Sequence, residues 1–179
     1  MKATQYRVLG TVERYGEALG RLKSAGDVAI VVRQDRQRQL VMRCPDGCGD
    51  VLSINLDPES GPAWRLYRRR GSWSLFPSID RSTGCLSHFI LSRERILWID
   101  WDSYCSSEHD AEFEERRQRI MSLLVSRERA SFVELADELD EVPWDVLDAC
   151  RRLVRDKTLE EGWGKERGTF WMRRATEEP

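Results

Sequence analysis

The chain has 179 residues, 40% of them hydrophobic and 34% charged, with a formal net charge of −2. That length holds one domain or two small ones, and seven Trp, five Phe and four Tyr supply too much apolar surface for a disordered chain. No run approaches the ~18 apolar residues of a membrane span, and the near-neutral balance excludes a strongly basic nucleic-acid binder.

The start, Met-Lys-Ala-Thr-Gln-Tyr-Arg, lacks the apolar stretch of a signal peptide, so the expected location is the cytoplasm, away from any membrane. Five cysteines without an export signal do not read as a disulfide framework. In a reducing cytosol, clustered thiols read as metal ligands.

In chain order, a short helix over Tyr15 to Lys23 is closed by Ala25-Gly26. Strand-like runs follow at Asp27–Arg33, Arg38–Arg43, Val51–Leu56, Trp64–Arg68, Ser87–Leu91 and Ile96–Trp101. Turn chemistry separates them at Asp57-Pro-Glu-Ser-Gly-Pro62, Arg70-Gly-Ser72 and Arg81-Ser-Thr-Gly84. Short strands at this spacing predict a small, mostly antiparallel β domain.

The texture changes near Ser106 to Asp110. Residues 1–108 hold 16 Lys+Arg against 13 Asp+Glu, and residues 109–179 hold 13 against 18. The second part reads in helical periods: Phe113 to Val125, then Phe132 to Leu139, then a helix from Pro143 to about Lys157. Ser131 with Glu134 forms a capping box, and Pro143 suits a first helical turn. Two apolar runs, Leu159–Trp163 and Thr169–Arg173, flank a glycine turn. The expected fold class is α+β, with a zinc-stabilised antiparallel β domain over 1–106 and a winged helix-turn-helix over 107–179.

The sharpest chemical feature is Cys44-Pro-Asp-Gly-Cys48-Gly, followed by Gly84-Cys85-Leu-Ser-His88-Phe. Zinc takes four soft or borderline ligands in a tetrahedron, supplied by two close pairs on tight turns. Cys44, Cys48, Cys85 and His88 have that form, with Pro45 and the glycines favouring the turns. The 36 residues between Cys48 and Cys85 would form a hairpin that brings the pairs together. A full first shell predicts a structural metal, since catalytic zinc keeps a position open for water.

Around these ligands the chain resembles the bacterial domain-of-unknown-function family 6527. The resemblance is carried by Leu40-Val-Met-Arg-Cys-Pro-Asp-Gly-Cys-Gly-Asp-Val-Leu-Ser-Ile-Asn-Leu, Trp64-Arg-Leu, Leu75-Phe-Pro-Ser-Ile and Cys85-Leu-Ser-His-Phe, over roughly residues 25–101. It implies metal positions at Cys44, Cys48, Cys85 and His88. Some relatives have a further cysteine inside the first pair, where Asp46 stands in this chain. The resemblance implies genomic company more than chemistry: ubiquitin-like proteins with their activating and conjugating enzymes, in operons linked to phage defence.

Other residues have simpler roles open to them. Arg65, Arg68, Arg69 and Arg70 beside Trp64, Tyr67 and Trp73 could engage nucleic acid, but a solvated loop with aromatics serving the sheet accounts for them. Ser78 lies in the Pro77-Ser-Ile string with no histidine base close in sequence, and the other histidine is His109. Asp100-Trp-Asp102 reads as strand alternation, Cys105 lies at no ligand spacing, and Cys150 falls on the apolar face of the third helix. That helix begins Trp144-Asp-Val-Leu-Asp148, and its carboxylates oppose a DNA groove. Arg151, Arg152 and Arg155, and a wing with Lys165, Arg167, Arg173 and Arg174, leave DNA contact open.

The function expected from the sequence is a non-catalytic zinc adaptor of a bacterial ubiquitin-like conjugation system, touching its conjugating enzyme, modifier or target. Two alternatives remain. One is a winged-helix DNA-binding regulator, and the other is a zinc-dependent hydrolase or protease that processes the modifier.

Overall fold

Along Asp27–Arg33 nearly every residue is apolar, the pattern of a strand covered on both faces. The computed structural model, which describes residues 2–69, 71–98 and 111–173, bears this out. The chain divides into two compact units, Met1–Asp102 and Ser103–Pro179. The boundary expected near Ser106 to Asp110 lies outside the described residues.

The first unit opens with β1 (Arg7–Val12), α1 (Tyr15–Arg21), β2 (Asp27–Arg33), β3 (Arg36–Arg43) and β4 (Val51–Asn55). These strands form a sheet in the order β1-β2-β3-β4, with β1 and β2 parallel and the other pairs antiparallel. The parallel pair is possible because α1 carries the chain back between them, and β1 was not expected from the sequence. Ala29, Val31 and Val41 face Ala18 and Leu22 of the α1 segment. Val28, Ile30, Leu40 and Met42 point the other way.

A second sheet covers that other face. It contains β5 (Arg65–Arg69), β6 (Ser72–Phe76), β7 (Ile79–Asp80), β8 (His88–Ser92) and β9 (Arg95–Leu97), in the order β5-β6-β8-β7 with β9 also on β8. Leu75, Ile79, Phe89, Leu91 and Ile96 complete the core between the sheets. At about 25 cal/mol per Å² of apolar area, this core is the main stabilising element of the unit. Tyr6 is tied in by its hydroxyl, which donates to the Trp73 carbonyl and accepts from the Glu94 N–H.

The second unit holds α2 (Ala111–Ser126), β10 (Ala130–Ser131), α3 (Phe132–Leu139), α4 (Pro143–Arg155), β11 (Leu159–Glu161) and β12 (Thr169–Met172). Its three strands pair antiparallel in the order β10-β12-β11. Ser131 and Glu134 make the expected capping box at the start of α3, and Asp140 closes that helix in the left-handed region. The expected helices and hairpin are therefore present. Every residue from Val142 to Leu153 is buried, including Arg151 and Arg152, which pair with Glu161 and Asp148. No helix among the described residues is long and apolar enough to cross a membrane.

Candidate active site and metal centre

Two tight turns converge at one edge of the first unit. The first follows β3: the Cys44 N–H donates to the Asp50 carbonyl at 2.8 Å, and the Gly47 N–H to the Cys44 carbonyl at 3.2 Å. The second runs from Arg81 to Ser87 and is closed by the Arg81 N–H on the Ser87 carbonyl at 3.1 Å. Gly84 is required there. Its φ is +72°, and an added Cβ would come within 2.7 Å of Arg81 Nη2 and 3.1 Å of Asp50 Oδ2.

In both turns a cysteine sulfur accepts a main-chain N–H two residues on, Asp46 to Cys44 and Ser87 to Cys85. Such N–H groups stabilise thiolates and orient them. Cys44 Sγ and Cys85 Sγ lie 3.7 Å apart, and the sulfurs of Cys44, Cys48 and Cys85 all lie within 4.8 Å of one another. Tetrahedral zinc with bonds of ~2.3 Å would set its sulfurs about 3.8 Å apart.

The Arg81 guanidinium favours the thiolate form of these cysteines. Arg81 Nη1 lies 2.9 Å from Cys85 Sγ and 3.4 Å from each of the other two sulfurs, while Nη2 pairs with Asp50 at 2.8 Å. Ser87 Oγ stands 3.2 Å from Cys85 Sγ. Hydrogen bonding by the Ser87 hydroxyl pulls the Cys85 thiol down to about 7, against its burial, and burial pushes Cys44 up to about 11. The donor set fits a soft or borderline divalent ion. These three cysteines could bind a metal ion.

His88, expected as the fourth ligand, is not one of that group. It begins β8, where the register sets Asp80 opposite His88 and Ile79 opposite Phe89. Its Nε2 lies 3.0 Å from Ser78 Oγ. Ser78 sits between β6 and β7, just after the cis Phe76–Pro77 peptide, and is half-buried. Trp64 Nε1 donates to the Ser78 carbonyl at 3.3 Å, and the Trp64 N–H is fixed on the Asn55 carbonyl at 2.8 Å. A serine hydroxyl within hydrogen-bond reach of an imidazole is the minimum equipment of a nucleophile with its general base.

Residues 15–99 match the family BubE, the bacterial ubiquitination-like system serine protease. The BubE stretch covers a little under half of the chain and contains Ser78, His88 and all three clustered cysteines. It ties this part of the chain to a bacterial ubiquitin-like system, as the resemblance to family 6527 implied, although the match is to BubE. It also overturns the non-catalytic adaptor: BubE is described as a protease, and the structure places a serine on a histidine inside the matched stretch. Neither the curated proteins nor the solved structures offer a match to the chain.

The remaining candidates fall into place without chemistry. Arg65 stacks on Tyr67 and Phe76, and Arg68 on Trp73, so these aromatics serve their own strands. Cys150 is buried in α4, and burial raises its thiol far above the ordinary range. Asp100, Trp101, Asp102, Cys105, His109, Arg70 and Arg174 lie outside the described residues. In the sequence, the one signal for the Ser78–His88 pair was a turn of Ser, Thr and Gly between two strand-like runs. A hairpin there returns the chain past Ser78.

Proposed function

We propose that the first unit is a serine protease of a bacterial ubiquitination-like system, with Ser78 as nucleophile and His88 as general base. The supporting observation is the 3.0 Å contact between Ser78 Oγ and His88 Nε2, inside the stretch that matches BubE. Its substrates and partners are then proteins of that system.

In the reactive tautomer His88 keeps its proton on Nδ1, so that Nε2 accepts from the Ser78 hydroxyl. As Ser78 Oγ bonds to the substrate carbonyl carbon, its proton passes to Nε2. His88 then delivers that proton to the departing nitrogen as the scissile C–N bond breaks. Water, deprotonated by the same Nε2, attacks the acyl-serine and frees the acid, which restores Ser78. Trp64 holds the Ser78 backbone in place through this cycle.

Cys44, Cys48 and Cys85 are the residues that would hold a zinc ion, and a bound ion supplies a crosslink between the two turns. Hydrolysis is assigned to Ser78, within the matched protease stretch, rather than to the metal. The order helix, strand, helix, helix, hairpin in the second unit is that of a winged helix.

The experiment is labelling with a fluorophosphonate, which reacts with activated serines, together with turnover of the system's modifier carrying a C-terminal extension. The intact chain should be labelled at Ser78. Ser78→Ala should abolish labelling and lower turnover by roughly a thousandfold or more with the melting temperature unchanged. Full turnover by Ser78→Ala would overturn the proposal.

A further inference from the structure

We propose that substrate binds as an added strand on the open edge of β7, where one of its residues exchanges main-chain hydrogen bonds with Asp80. The substrate class is then an extended polypeptide segment, a tail or linker rather than a folded element. The paired residue is the second or third before the scissile bond. This rests on the serine-protease reading above.

The ladder between β7 and β8 decides which way each main-chain group points. Antiparallel strands alternate between pairs that exchange hydrogen bonds and pairs whose N–H and C=O groups face outward. The register sets Ile79 opposite Phe89 and Asp80 opposite His88, which brings Arg81 opposite Ser87 next in line. The Arg81 N–H donates to the Ser87 carbonyl at 3.1 Å, so that pair is a bonded one. Asp80 and His88 are therefore an outward pair, and the Asp80 N–H and C=O point away from β8. Among the described residues β7 pairs with β8 alone, and Asp80 is exposed. These two groups form a short edge able to bond another chain.

The same pairing ties this edge to the reactive pair. Residues of an outward pair have Cα atoms about 4.5 Å apart with side chains on one face, so the Asp80 main chain runs beside His88. His88 Nε2 in turn lies 3.0 Å from Ser78 Oγ. Two residues back from Asp80, the Ser78 carbonyl is taken by Trp64 Nε1 at 3.3 Å. The chain is thus held beside the nucleophile and open about 7 Å further along, at ~3.4 Å of rise per residue. Antiparallel pairing is the more stable kind, and a strand antiparallel to β7 runs from Asp80 toward Ser78 in its own direction. The residue over Asp80 therefore lies on the acyl side of the bond that Ser78 attacks. A rigid ladder holds the edge in place, so pairing costs ordering of the substrate alone.

The test gives the full chain synthetic peptides spanning the junction of the system's modifier and a C-terminal extension, each with one main-chain amide N-methylated. Methylation of the paired residue removes its donor and should lower kcat/KM by roughly tenfold or more. The residues on either side of it turn their N–H groups away from β7, so they should change by less than about threefold. Asp80→Pro removes the complementary donor. That N–H stands outside the β7–β8 ladder, so proline fits there as on other edge strands, and turnover should fall about tenfold with Tm within about 2 °C of wild type. A flat N-methyl profile, or sensitivity confined to the leaving side, would overturn the inference, even where Asp80→Pro fails to fold. Ser78 labelling by a fluorophosphonate without cleavage of any peptide overturns the inference and spares the serine-hydrolase chemistry. Absence of both overturns the two together.

Discussion

Replacing Cys48 with serine exchanges one exposed sulfur for an oxygen. At an ordinary surface position such a change stays within about 0.5 kcal/mol. At a metal ligand it opens a crosslink. Cys44 and Cys85 stand 41 residues apart in sequence, and closing a loop of that length lowers the entropy of the unfolded chain by an amount worth about 4 kcal/mol. Two remaining thiols hold the ion too weakly to keep most of that. For a cooperative unit of roughly 100 residues, whose unfolding entropy is about 0.2 kcal/mol/K, the loss corresponds to a fall of about 20 °C in Tm.

Calorimetry of the wild type and Cys48→Ser, each with equimolar zinc and again after a chelator, measures this directly. Wild type should drop by about 20 °C on chelation, and the variant should start low and change little. Cys44 is a poorer probe, because it is fully buried and its loss also disturbs packing. A Cys48→Ser protein that melts within about 2 °C of wild type would refute the crosslink, since surface chemistry alone accounts for that result.

Two further outcomes follow from named contacts. Trp64→Phe keeps the ring and removes the indole N–H from the Ser78 carbonyl, so turnover should fall by about tenfold while stability changes by about 1 kcal/mol. An unchanged rate would free Trp64 from any positioning role. The buried Asp27 accepts from Arg7 through Oδ1 at 2.9 Å and from the Lys23 and Ser24 N–H groups through Oδ2 at 2.9 and 2.8 Å. Burial alone would raise its carboxyl, but these donors outweigh it and hold the group below its ordinary 3.8. Its contribution is therefore present above that value and lost as pH falls through the lower, folded-state value. Asp27→Asn should cost about 2–3 kcal/mol near neutrality, and its Tm gap to wild type should narrow as pH falls below the ordinary carboxyl value. A gap that persists in acid would refute this account.

What could be seen in the chain beforehand was what depends on neighbours a few residues apart. The capping box of Ser131 and Glu134, the helix Phe132–Leu139 and the strand Asp27–Arg33 appear with the residues read from the sequence, since periodicity and caps act within one or two turns. The two cysteine turns were legible for the same reason, because glycine and proline set turn geometry locally. The strands β1, β6 and β7 were not, since each owes its place to partners across a sheet.

The candidate site divides along the same line. Spacing alone marked Cys44, Cys48 and Cys85 as ligand types, and the same spacing grouped His88 with them. Only the pairing of β7 with β8 sends the His88 ring to Ser78, ten residues away, because strand register decides which side chains share a face and no local pattern encodes it. Composition and turn chemistry settled which residues were available for chemistry. Folding two sheets together settled which of them meet, because a contact between distant residues is a property of the whole packed core.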